Sequence, residues 1–271
     1  MTRQIRVLVA DDSALMRRLI SDLLASAPDI KVVGTARDGL EVLRLVETLH
    51  PDVITLDVDM PRLSGLEALS RIMQQHPTPV IILTGLKAPE VAVEAIQRGA
   101  VDMVLKPSGL ISVDIYKVRE ELITKVRAAA EARMRPITGQ AGLSTPPSPS
   151  PPSLSLSRMV VVAASTGGPQ ALSTLLSALP ADLPAAFLVV QHMPARFTAS
   201  LAQRLNSYCP LLVKEAEHGE AVEPGRVYVA PGGYHTRVRK SSSGVVLTPV
   251  SYTHLRAHET RHDLVCRLLL E

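Results

Sequence analysis

Five side chains in the first half of the chain have the types needed to handle phosphate. Asp11 and Asp12 follow one aliphatic run, Asp57 closes a second, Thr84 a third and Lys106 a fourth. Crowded carboxylates repel one another unless a hard cation neutralises them, and Mg²⁺ takes such oxygen ligands while keeping waters for a phosphate. A lysine adds a charge partner for a phosphoryl oxygen and a threonine a hydrogen bond. Taken singly, each residue has a plainer reading: Asp11 and Asp12 as helix caps, Asp57 as turn chemistry, Lys106-Pro107 as a loop entry. Their shared position at successive strand ends favours the joint reading.

A second group lies further on. The aliphatic run ending at Ala164 leads into Ser165-Thr166-Gly167-Gly168-Pro169, and the next such run ends in Gln191-His192-Met193-Pro194. Glycines let the chain bend sharply after the strand, and proline suits a first helical turn, so Ser165 stands on a tight turn with its hydroxyl exposed. A serine and a histidine at adjacent strand ends are the first two parts of a nucleophile–base pair. Alone, the serine motif reads equally as a capped helix start or a phosphate loop. It lacks the glycine-rich dinucleotide fingerprint, and Ala163 stands where a nucleophile elbow has glycine.

Parallel sheets must position both groups, because ligands gather at the carboxyl ends of their strands. Residues 1–127 alternate β-branched runs with amphipathic stretches: strands at Ile5–Ala10, Lys31–Thr35, Val53–Asp57, Val80–Thr84 and Val101–Leu105. This predicts a five-stranded, doubly wound α/β domain. Leu15, Leu19 and Leu23, with Met16 and Ile20 beside them, space one helix, Leu40, Leu43 and Val46 the next, and a last helix runs from Val113 to about Arg133. A Pro/Ser-rich stretch, residues 128–157, reads as a linker. A second α/β pattern follows over 158–249. Strands are expected at Met159–Ala164, Ala186–Gln191, Leu211–Lys214, Arg226–Ala230, His235–Arg239 and Val245–Thr248, with helices at about Pro169–Leu179 and Thr198–Ser207.

The composition agrees with two α/β domains. The chain has 271 residues, 46% hydrophobic and 20% charged, enough for two cores and unlike a disordered tail. Aromatics at 3%, with no tryptophan, argue against a carbohydrate groove or a single-strand nucleic-acid platform. A net charge of +3 is mild and does not point to nucleic acid. The N-terminus shows neither a signal-peptide pattern nor a membrane span, so the expected location is the cytoplasm.

Residues 1–127 resemble a two-component receiver domain, through VADDSALMRR, ITLDVDMPRLSGLEAL, ILTG and VLKP. The resemblance implies a flavodoxin-like fold in which Asp57 accepts a phosphoryl group from a histidine kinase. Asp12 and Asp57 would ligate Mg²⁺ with Asp11 close by, the Asp59 carbonyl would add a ligand, and Thr84 and Lys106 would sense the phosphate. It also implies a cis Lys106–Pro107 bond. Met103 departs from the pattern, standing where such receivers usually carry a switch aromatic.

Receiver, linker, AASTGGPQAL, VVQHMP and YVAPGGYH in that order resemble the chemotaxis response-regulator protein-glutamate methylesterases. The resemblance implies a Rossmann-like α/β esterase domain that needs no cofactor. It would hydrolyse methyl-glutamyl esters, and deamidate glutamines, on methyl-accepting chemoreceptors. Ser165 would be the nucleophile and His192 the base. Thr166, Gly167 and Gly168 would line the pocket, and His235 is a weaker candidate for its wall. The receiver would cover the catalytic face until Asp57 is phosphorylated. A non-catalytic phosphoryl sink with a docking module is the alternative. A transcriptional regulator would need a helix-turn-helix after the linker, where the chain has STGG and QHMP instead.

The family's triad acid sits in a glycine-rich GMGxDG-type turn, which this sequence lacks. Residues 250–271 continue no strand–helix pattern and resemble a translated sequencing adapter, so the esterase domain is expected to be incomplete, the tail non-native and the chain impaired. His254, His258 and His262 follow helical spacing but lack the placed carboxylate a metal site normally adds.

Overall fold

The computed structural model describes residues 4–85, 89–107, 114–131, 156–242, 244–251 and 268–270. The chain divides into two compact units, 1–140 and 141–271. Most of the expected linker (132–155) and most of the C-terminal segment (252–267 and 271), with the three tail histidines, lie outside the described residues.

In the first unit five strands, β1 (Ile5–Ala10), β2 (Ile30–Ala36), β3 (Val53–Asp57), β4 (Val80–Thr84) and β5 (Asp102–Leu105), form one parallel sheet in the order β2-β1-β3-β4-β5. Helices α1 (Ala14–Ala25), α2 (Gly39–Leu49), α3 (Gly65–Gln75), α4 (Pro89–Gln97) and α5 (Asp114–Glu131) connect and follow them. Every residue of β3 and β4 is buried, which accounts for the near-continuous aliphatic runs broken only by Thr55 before the functional ends. Helix starts are set by side-chain caps: Ser13 accepts from the Met16 amide, Asp38 from Glu41, and Ser64 with Glu67 closes a capping box.

Two expectations need correction. Ile20 and Val46 are buried as expected, with Leu24 and Val42 beside them, but Leu15 and Leu40, which head the two series, are exposed. Both stand in the first turn of their helices, where a side chain leaning toward the N-terminus reaches past the buried stripe. The Lys106–Pro107 peptide is trans, as no described peptide is cis.

In the second unit β6 (Arg158–Ala164), α6 (Gly168–Ser177), β7 (Ala185–Gln191), α7 (Phe197–Asn206), β8 (Leu212–Glu215) and β10 (Arg226–Val229) build a parallel sheet in the order β6-β7-β10-β8. The remaining strands form a separate sheet. There β11 (Tyr234–Ser241) and β12 (Gly244–Ser251) make a hairpin, β9 (Glu220–Ala221) adds to β12, and β13 (Leu268–Leu270) runs parallel to β11. β9 and β13 are too short to show a sequence period. One core cluster joins strand residues such as Leu188 and Tyr228 of the parallel sheet to Val238 and Leu247 of the hairpin. β6 is an edge strand, with Val160 and Val161 39% and 40% exposed. Among the described residues no helix is long and apolar enough to cross a membrane.

A buried ion pair fastens α5 to β5. Lys125 and Asp102 are 3% and 2% exposed, and the ammonium donates to Asp102 Oδ1 (3.1 Å) and to the Met103 carbonyl (2.6 Å), with Glu121 at 2.9 Å. Asp102 Oδ1 also accepts from the Met103 amide (2.7 Å), so both polar groups of Met103's backbone are held by this pair. Burial works against the Lys125 charge, but Asp102 and Glu121 outweigh it and raise its pKa above the ordinary lysine value. A raised lysine pKa contributes stability that is complete below the unfolded value and fades only as pH climbs through the folded one. Urea denaturation should therefore show Lys125→Met losing about 3–5 kcal/mol at neutral pH, because it strands a buried carboxylate. The double variant with Asp102→Asn should recover much of that loss.

Candidate functional site

The sheet of the first unit brings four of its five singled-out residues into one cluster. β1 and β3 are neighbours, so Asp11 and Asp12, just past β1, meet Asp57 at the end of β3. One carboxylate oxygen from each lies within 4.8 Å of the others. Lys106, just past β5, places its ammonium 2.7 Å from both Asp11 Oδ2 and Asp57 Oδ2. Thr84 closes β4 between them, buried, its hydroxyl donating to the Gly85 carbonyl (3.3 Å).

The electrostatics follow from the count. Three carboxylates face one ammonium, all donor atoms are hard oxygens, and a divalent cation would balance the surplus charge; the residues fit such an ion. Burial raises the Asp57 carboxyl above its usual range, more than Lys106 lowers it. Burial opposes the Lys106 charge in turn, but Asp11 and Asp57 raise its pKa overall.

The backbone around these groups is tied down by residues that sequence reasoning passed over. Arg17 donates to the carbonyls of Asp11 (2.7 Å) and Asp12 (2.9 Å). The loop after Asp57 is anchored by Arg62, in the left-handed region at φ 66°, which pairs with the fully buried Asp38. Gly65 donates to the Val58 carbonyl and packs against Asp57 itself; a Cβ there would lie 2.0 Å from the Asp57 carbonyl oxygen.

The second unit brings its pair together in the same way. Ala164 and Gln191 are partners in the β6–β7 register, so Ser165 and His192 leave neighbouring strand ends, with Ser165 Oγ 3.5 Å from His192 Nδ1. Ser165 is exposed and His192 half-buried. Gly167 takes φ 75° at the start of α6, and Pro169 sits in its first turn. The Gly168 amide donates to the Ser165 carbonyl at 2.7 Å. Thr166 is half-buried in this turn.

His235 lies buried on β11, in the other sheet of the unit from Ser165 and His192. The neighbouring PGG loop does reach the histidine's loop. A Cβ on Gly232 would meet the Met193 carbonyl at 2.6 Å, and its amide donates to Thr198 Oγ1 (3.0 Å), which donates to Glu215 (2.6 Å). Thr198 and Glu215 gave no sequence signal. Gln191 did, as a polar residue ending a buried strand.

Comparison with known proteins fits both clusters. Residues 7–113 match the family model for the response regulator receiver domain, and residues 160–269 that for CheB methylesterase. A protein-glutamate methylesterase/protein-glutamine glutaminase of Halalkalibacterium halodurans is 47% identical over 263 residues, covering 96% of this chain and 74% of the relative. The namesake from Geobacillus kaustophilus is 48% identical, covering 90% of this chain and 71% of its own length. The chain belongs to this family. Among solved structures, the response regulator domain of Thermotoga maritima CheB is 47% identical, with a TM-score of 0.46, and spans 49% of this chain and all of that one. The catalytic domain of the same protein is 42% identical, with a TM-score of 0.35, spanning 40% of this chain and 53% of that one.

The contact at Gly65 yields a direct test. In Gly65→Ala the new methyl meets backbone atoms that have no rotamer to escape into, so thermal denaturation should show the first unit destabilised by roughly 1–3 kcal/mol.

Proposed function

We propose that the chain is a phosphorylation-controlled esterase that hydrolyses glutamate methyl esters, and deamidates glutamines, on methyl-accepting chemoreceptors in the cytoplasm. The observation that carries this reading is the Ser165–His192 pair on neighbouring strand ends, in a family named for the activity.

Ser165 Oγ attacks the ester carbonyl carbon as His192 takes its proton, and the turn through Thr166, Gly167 and Gly168 lines the pocket where the oxyanion develops. The intermediate collapses with loss of methanol, protonated by His192. Water then releases the glutamate from the acyl-enzyme, His192 again moving the proton. With glutamine as substrate the leaving group is ammonia.

In the receiver, Asp57 takes the phosphoryl group from a kinase phosphohistidine: a P–N bond breaks and a P–O bond forms. Asp12 and Asp57, with Asp11 beside them and the Asp59 carbonyl, would hold Mg²⁺, which draws charge from the phosphoryl oxygens when bound. Lys106 is placed to pair with the phosphate and Thr84 to hydrogen-bond it. Phosphorylation of Asp57 raises the rate of hydrolysis.

A second reading, a receiver that drains phosphoryl groups, rests on the acidic cluster and Lys106 alone. Methanol release from methylated receptor membranes separates the two. The esterase reading expects release to fall to background in Ser165→Ala, and its stimulation by a small phosphodonor to vanish in Asp57→Asn. Undiminished release from Ser165→Ala overturns it. The sink reading would be favoured by signalling effects that depend on Asp57 alone.

A further inference from the structure

Gln191 is the last residue of β7 and is 2% exposed. Its Nε2 donates to the Ser165 carbonyl (3.0 Å) and to the His192 carbonyl (3.3 Å), bridging the two turns that carry the reacting pair. The Ser165 carbonyl thereby accepts from both Gln191 and the Gly168 amide. The other end of the amide has a different status: Oε1 is buried and accepts no hydrogen bond. It lies against Gly168, where a Cβ would come within 2.1 Å of it and 2.8 Å of Ala164 Cβ.

Stability is a mixed account for glutamine here: Nε2 satisfies two carbonyls, of which that of Ser165 also accepts from Gly168, while Oε1 goes unpaired. A buried carbonyl without a donor is destabilising, and methionine would fill nearly the same volume without that cost. What the amide adds is a fixed spacing between the backbones of residues 165 and 192. The side chains on those backbones face each other at 3.5 Å, the long edge of hydrogen-bonding distance. Small misplacements of a nucleophile relative to its base are costly to rate.

We infer that Gln191 is a positioning residue that sets the Ser165–His192 distance by tying together the two strand-end turns. Gly168 is part of the same device, because only a residue without a side chain leaves room for the amide. The inference rests on the esterase reading above.

The test uses the 271-residue chain and the variants Gln191→Met and Ser165→Ala, singly and together. Gln191→Met gives up the two bonds donated by Nε2 together with the unpaired Oε1, so it should still fold, which circular dichroism checks. It should lose about a hundredfold in kcat for methanol release, with KM within about twofold. A second readout does not depend on turnover. In ¹⁵N-histidine NMR spectra, Ser165→Ala should shift the His192 Nδ1 resonance in the parent and leave it unmoved in the Gln191→Met background. Parental kcat in Gln191→Met, or an unchanged His192 response to Ser165→Ala in that background, overturns the inference and leaves the esterase reading standing. Undiminished release from Ser165→Ala overturns both.

Discussion

Both clusters exist because parallel strands deliver their carboxyl ends to the same edge of a sheet. An antiparallel pair would send Asp11 and Asp57, or Ser165 and His192, to opposite ends. With β1 beside β3 and β6 beside β7, residues 46 and 27 positions apart in sequence become neighbours without any loop having to reach across. The strands can be mostly aliphatic because helices cover the first sheet, so its chemistry gathers at the last residue of a strand or the one or two just past it.

The cost of that arrangement is concentrated charge, and the fold meets it with partners that also fix geometry. Lys106 serves two carboxylates at equal distance, which holds β1, β3 and β5 in mutual register at the edge. Asp38 caps α2 and also anchors Arg62 on the loop that follows Asp57. At the other end of β5 from Lys106, Lys125 and Asp102 hold the backbone of Met103. In each case the buried charge is paired with groups from different elements, so a local ion pair sets long-range geometry.

Much of this was legible in the sequence. Strands β1, β3 and β4 fall where their β-branched runs lie, and the strand-end residues were singled out by punctuation alone. Ser165 and His192 were paired on the expectation that their strands are adjacent, and the β6–β7 register places them so. What could not be read depends on three-dimensional contact. Nothing in the spacing of Arg17, Arg62 or Thr198 distinguishes a clamp on a functional loop from a solvated surface residue. Spacing alone does not tell the exposed Leu15 and Leu40 from the part-buried Leu19, Leu23 and Leu43 of the same series. The later strands of the second unit were located but not sorted between sheets, since a hairpin and a parallel strand share the same period.

The edge strand β6 bears on how the chain behaves in quantity. Among the described residues its seven-residue backbone pairs only with β7, and the sequence RMVVVAA has no proline and a single charge to deter a new neighbour. A strand of that composition, with valines open to water on both faces, is a template for intermolecular sheet extension. The strand that delivers Ser165 is thus also an adhesive edge, and self-association along it would fix the strand whose end carries the nucleophile.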